Sequence, residues 1–155
     1  MRWMCLCILI FALPAQADVR EGRALMRAGS YAEARATLWP AARSGNADAE
    51  ELIGVMYALG LGVEQDHFRA FEWYMRSAMK GHPAAQSGVG WSYEAGLGVS
   101  PDVVRAYMWY TLATIGGNQD AAFSQEEILK KMTAEQIEKA HVLVDDYRVW
   151  MYPFR

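Results

Sequence analysis

The sequence predicts an all-α protein, a right-handed α-solenoid of about four helical hairpins. Three observations carry that prediction. A unit of 36 residues is written twice, and positions 49–84 share 13 of 36 identities with positions 85–120. A fixed period in this range marks stacked supersecondary units, each touching only its neighbours. Within each unit the apolar residues recur at helical spacing, and the glycines stand where helices would stop. No stretch reads as a convincing strand.

The chain opens on Met1-Arg2, an apolar run from Trp3 to Leu13, and Pro14-Ala15-Gln16-Ala17. A basic start, a short apolar run and an Ala-x-Ala ending make a secretory signal peptide over residues 1–17, cleaved before Asp18. The apolar run of about 11 residues is too short to be a membrane anchor, which needs about 20. The expectation is one domain, residues 18–155, periplasmic or secreted, with no membrane insertion after cleavage.

Asp18 to Ala28 reads as a first helix stopped by Gly29. Gly29-x-Tyr31-x-x-Ala34 opens a second helix to about Arg43, with Pro40 inside it removing one amide donor. Together they form a degenerate leading hairpin, 18–45. Repeat 1, 46–81, holds a helix over Asp48 to Leu59. Gly60 and Gly62 make its turn, and Asp66 caps the helix that carries Phe68, Ala70, Phe71, Trp73, Tyr74 and Ala78. Repeat 2, 82–117, starts a helix at Pro83, turns at Gly96-Leu97-Gly98, and caps the helix 102–115 with Asp102. The third copy decays over 118–155. Ala121 keeps the phase, Lys130-Lys131 replaces the Gly-x-Gly loop, and Thr133 with Gln136 forms a capping box for a helix to about Trp150. A polar, irregular hairpin there would cap the stack. The aromatic tail, Trp150 to Arg155, either folds back to seal the core, the preferred reading, or docks elsewhere.

Cys5 and Cys7 both lie in the leader, so disulfides, thiolate metal sites and cysteine nucleophiles are excluded from the exported part. Loss of Arg2 leaves 14 basic residues against 18 acidic ones. Mild acidity without a lysine or arginine run argues against nucleic acid and anionic membrane surfaces.

Ala49…Gly54-x-x-Tyr57-x-x-Gly60-x-Gly62-Val63-x-x-Asp66-x-x-x-Ala70-x-x-Trp73-Tyr74…Ala78-x-x-Gly81 resembles the Sel-one-like repeat, a branch of the tetratricopeptide-like solenoids. The second copy matches as well, with Thr114 replacing the usual alanine. The resemblance implies an adaptor or regulatory protein that binds other proteins, and it implies an exported bacterial member.

The residues that bear chemistry offer little for catalysis. A helix, not a strand, precedes each Gly-x-Gly, so these are turns and not phosphate loops. Ser77-Ala78-Met79-Lys80 matches the Ser-x-x-Lys nucleophile motif, but its companion motifs are absent. His67, His82 and His141 lack metal-binding spacing. No cofactor or metal is expected. In tetratricopeptide-like stacks the first helix of each hairpin lines the concave side. That places Glu51, Leu52, Val55, Met56 and Leu59, then Ser87, Trp91, Ser92 and Ala95, along a groove for a protein or peptide. The expected function is a non-catalytic periplasmic interaction or regulatory module, monomeric, whose partner is another envelope protein or peptide. Two alternatives stand beside it: an envelope hydrolase or penicillin-interacting enzyme using Ser77 and Lys80, and an assembly factor stacking end to end through Asp145 to Arg155.

Overall fold

A computed structural model describes residues 14–151, with side chains over 18–148. Eight helices follow in order: α1 (Pro14–Arg27), α2 (Tyr31–Arg43), α3 (Ala47–Leu59), α4 (His67–Ala78), α5 (Pro83–Ala95), α6 (Val103–Ile115), α7 (Gln119–Leu129) and α8 (Ala134–Met151). No strand occurs among the described residues. The expected leader lies mostly outside them, although positions 14–17 form the first turn of α1. The tail beyond Met151 also lies outside.

The helix ends follow from short-range chemistry. Each of Asn46, Asp66, Asp102 and Asn118 accepts a hydrogen bond from the backbone amide three residues on. Such a side chain satisfies one of the four amides that a helix start leaves unpaired. His82 does the same for α5 through Nδ1, 3.3 Å from the amide of Ala85. Gly60 and Gly96 both stop their helices at φ +69°, where a side chain would be strained. Thr133 and Gln136 exchange hydrogen bonds as a reciprocal box at the start of α8.

Three hairpins form by packing α1 on α2, α3 on α4 and α5 on α6, and each second helix then packs on the next first helix. The odd helices α1, α3, α5 and α7 also touch in succession, so they form the tighter, inner row of the solenoid. The even helices α2, α4 and α6 form the outer row. One device joins the rows. The ring of Tyr74, from α4, sits between Gly54 of α3 and Gly88 of α5; a Cβ on Gly54 would lie 2.6 Å from Tyr74 Cδ1. The ring of Tyr110, from α6, sits against Gly90 in the same way. Both tyrosines are buried.

Gly62 and Gly98 have a role beyond turning the chain. Each loop presses on the start of the preceding outer helix, Gly62 on the backbone of Tyr31 and Gly98 on that of His67. A Cβ on Gly98 would fall 2.2 Å from the His67 carbonyl oxygen. The repeat loop is therefore an inter-repeat contact, made possible by the absence of a side chain.

The last two helices depart from the expected capping hairpin. The packing partner of α8 is α6, not α7. α8 covers the outer face of α6, where Met108, Trp109 and Leu112 are buried and the Tyr147 ring meets Trp109 edge-on at 5.2 Å. The Tyr147 hydroxyl reaches on to donate to the Ala78 carbonyl, 3.2 Å away, at the end of α4. The composition of α6 explains the choice. Positions 108 and 112 are Met and Leu where the first repeat has Glu72 and Arg76, so the outer face of α6 needs a cover and that of α4 does not.

Gly98 and Gly117 both have positive φ, at +76° and +90°, but only Gly98 is crowded. Replacing Gly117 with Ala is expected to cost about 1 kcal/mol, the conformational term alone. Gly98→Ala is expected to cost at least about 1 kcal/mol more, because the loop must also lift off His67. Urea unfolding of the two variants makes the comparison, and equal costs would contradict the inter-repeat contact.

Candidate functional site

Ser77 and Lys80 lie at the end of α4, against the α2–α3 junction. The Ser77 side chain is fully buried and its hydroxyl donates to the Ala47 carbonyl at 2.7 Å. Lys80 Nζ donates to the Gly45 carbonyl at 2.8 Å and to Glu50, a carboxylate with no exposed surface. Arg76 Nε holds the other oxygen of Glu50 at 3.1 Å. Both members of the Ser-x-x-Lys motif are thus engaged: Ser77 ties the end of α4 to the start of α3, and Lys80 ties it to the leading hairpin at Gly45. A sealed hydroxyl bonded to a backbone carbonyl is not poised to attack a substrate. The hydrolase alternative is corrected on that ground: the motif is a structural clasp.

The nine residues expected to line the groove divide in two. Leu52, Met56 and Ser92 are buried, Met56 with 0% of its surface exposed, and the Ser92 hydroxyl bonds back to the Gly88 carbonyl at 2.9 Å. These three present nothing to a ligand. The reason is geometric: an inner helix is packed by outer helices behind it and by inner neighbours on both sides, so the open arc is narrow. Val55 and Leu59 on α3, and Ser87, Trp91 and Ala95 on α5, occupy that arc at a spacing of four, while Glu51, expected there too, is buried at its edge as Leu52 is. Leu59 is 61% and Trp91 38% exposed, and the Trp91 ring leans edge-on against His67 at 6.2 Å.

The structure extends this strip to α7. Ala121 is buried as Ala49 and Ala85 are, so the third copy keeps the repeat phase. Phe123 then falls at the position of Glu51 and Ser87 and is 68% exposed. Sequence reasoning passed over Phe123, although the 36-residue offset places it on the strip. At the other end of the strip, Val19, Arg20, Arg23 and Asp48 line a cavity of about 400 Å³ between α1 and α3. Arg23 bonds Asp48 at 2.9 Å, and His82 Nε2 lies 3.3 Å from the same oxygen. The inner face therefore runs from a polar end through Glu51 to an apolar floor of Val55, Leu59, Trp91 and Phe123.

Two further cavities are of a different kind. On the outer face, Trp39, Tyr57, Trp73, Arg69, Arg76 and Glu72 surround about 280 Å³. There Arg76 stacks 4.5 Å over Trp73 and is bonded to Glu50, while Arg69 pairs with Asp66, so both cations already have partners. A more apolar groove lies between α6 and α8, lined by Val104, Val142 and Leu143.

Electrostatics single out Glu51. Burial pushes its carboxyl above the usual carboxylate range; His82 and Arg23 pull it back, and Asp48 adds to the rise. Burial likewise raises the Tyr74 phenol, and the nearby charge of Glu51 raises it further. Among the described residues, no group of three His, Cys, Asp or Glu side chains is arranged to hold a metal ion. No described helix is long and apolar enough to cross a membrane.

A carboxyl with a raised pKa holds its proton more tightly folded than unfolded. Its ionisation therefore lowers stability as pH rises through the ordinary value of 4.5 and up to the folded one. Glu51→Gln is expected to raise the melting temperature at pH 7 by about 3 °C, and the gain should vanish below about pH 4. A difference that stays constant with pH would contradict the burial. Lys80→Met should cost about 2 kcal/mol in urea unfolding, since Glu50 then stays buried with Arg76 alone. A neutral Lys80→Met would remove the clasp.

Comparison with known proteins agrees with this geometry. The Sel1 repeat family matches residues 47–82 and 83–118, the two clear copies. A crystal structure of a protective antigen present in uropathogenic Escherichia coli strains, displaying an SLR fold, superposes with a TM-score of 0.84 at 30% identity. That match covers 90% of this chain but only 31% of the antigen, so the chain spans about a third of the antigen's length. A Sel1 repeat protein from Oxalobacter formigenes superposes with a TM-score of 0.65 at 35% identity, covering 73% of this chain and 88% of that one. No match was found among curated proteins. Sel1 repeat folds are generally non-catalytic scaffolds for protein–protein interaction. With two matched repeats and this second relative covered over most of its length, the chain belongs to the Sel1 repeat family.

Proposed function

We propose that the protein is a non-catalytic binding module of the bacterial envelope, exported by its leader, which holds a protein or peptide segment on its inner face. The observation that carries this reading is the inner strip itself. Leu59, Trp91 and Phe123 are large apolar side chains left open on three successive inner helices, beside a polar end built from Arg23, Asp48, Glu51 and His82. Solvent-exposed aromatic and aliphatic groups in line with a polar rim are the makings of a protein interface. Leader-like residues 1–17 support an envelope location. Stacking end to end through 145–155 has less to support it, because most of those side chains lie outside the described residues.

Photo-crosslinking in living cells tests the proposal. A benzophenone residue placed at 91 or 55 should trap one recurrent envelope protein, and the same residue at exposed Glu33 on the outer face should not. Trapping at 91 and 55 no greater than at 33 would overturn the inner-face reading.

A further inference from the structure

The large exposed apolar residues of the inner face stand out of step with the repeat. Leu59, Trp91 and Phe123 follow one another at 32 residues, four short of the 36-residue period. Four residues are about one helical turn, or about 6 Å of rise. Each of these side chains therefore lies one turn nearer its helix start than the one before it, and the three form an oblique line across α3, α5 and α7. All three are exposed. What borders the line is small or charged. Ser87 and Ala95 stand one turn to either side of Trp91 on α5, and on α7 the positions of Trp91 and Ala95 are taken by Glu127 and Lys131.

The spacing of the line selects the shape of its cover. The inner helices touch in succession, and packed helices lie about 8–10 Å apart. With the one-turn shift, successive anchors are about 10–12 Å apart. An α-helix returns one face every seven residues, about 10.5 Å along its axis. An extended strand returns a face at about 7 and about 13 Å, and a polyproline helix at about 9 Å. The helix fits. Charge selects the composition of the cover. On α7, Phe123 has Asp120, Glu126 and Glu127 three or four residues away, where helical side chains are neighbours. Lys130 spans Glu126 and Glu127, and Asp120 has no bonded cation. Lys131 lies 3.5 Å from Glu94, which follows Trp91 by three residues on α5. Four carboxylates thus stand against two lysines around this end of the line, and a cover gains from positive charge there.

We infer that the segment bound on the inner face is a basic amphipathic α-helix. Its large apolar residues, at i, i+7 and i+14, rest in turn on Leu59, Trp91 and Phe123, and lysine or arginine lies beside the one that meets Phe123. The inference rests on the inner-face reading proposed above and names the partner's chemistry. Its outer anchors are about 21 Å apart, so a helix of four to five turns covers the line. The dips over Ser87 and Ala95 receive the side chains on either side of its middle anchor, an amphipathic helix laid in a groove.

Selection of a display library of random peptides, each about 18 residues long, on the immobilised protein tests this. Enriched peptides should lack proline, carry Lys or Arg, and place large apolar residues seven apart. The best of them should gain helical circular dichroism on binding. Leu59→Ser, Trp91→Ala and Phe123→Ser should each weaken it at least about fivefold, and Val142→Ser, at an exposed position of α8, should leave it unchanged. Raising the salt from about 0.05 to about 0.5 M should also weaken it several-fold. Thermal melts confirm that the variants are folded. Peptides that need Trp91 but stay non-helical, carry no basic residue, or space their apolar residues otherwise would overturn the helix and leave the inner-face reading standing. Enrichment of no peptide that depends on Trp91 would overturn both.

Discussion

Each outer helix is held to the inner row by a large side chain seated against glycine, Leu38 of α2 on Gly22, Tyr74 of α4 on Gly54 and Gly88, and Tyr110 of α6 on Gly90, and the rest of the solenoid depends on that seat. A glycine inside a helix costs about 1 kcal/mol relative to alanine. Gly54, Gly88 and Gly90 nonetheless stand inside α3 and α5, because a Cβ there would collide with the rings of Tyr74 and Tyr110. The close approach they allow buries both tyrosines and sets how far each hairpin stands from the next. The Gly62 and Gly98 loops complete the stack by pressing on the preceding outer helix.

The same seat shapes the inner face. A tyrosine seated on these glycines carries its hydroxyl in among the inner helices. Repeat 2 meets it internally with Glu94 and Ser124. Around Tyr74 the corresponding positions are Ala58 of α3 and Gly88 of α5.

Much of the fold was legible in the sequence because its signals are local. Asp66, Asp102, Gly60, Gly96 and the Thr133–Gln136 pair act within a few residues of themselves, and the structure has each of them at a helix end. The inner strip was legible only in part. Helical spacing alone cannot tell how wide an arc stays open, so Leu52, Met56 and Ser92 were grouped with Val55 and Trp91 until neighbouring helices narrowed the arc. The seat of α8 depends on long-range packing. Its trace was the change from Glu72 and Arg76 to Met108 and Leu112, which shows that a cover is needed but not which helix supplies it.

The most direct test of the seat is a double-mutant cycle of Gly54→Ala and Tyr74→Leu, measured by urea unfolding. If ring and glycine share one space, Gly54→Ala costs about 2 kcal/mol in the native background and much less once leucine replaces the ring, a coupling above about 1 kcal/mol. Additive costs would mean that Gly54 and Tyr74 act independently, and the account of how the helices stack would fail.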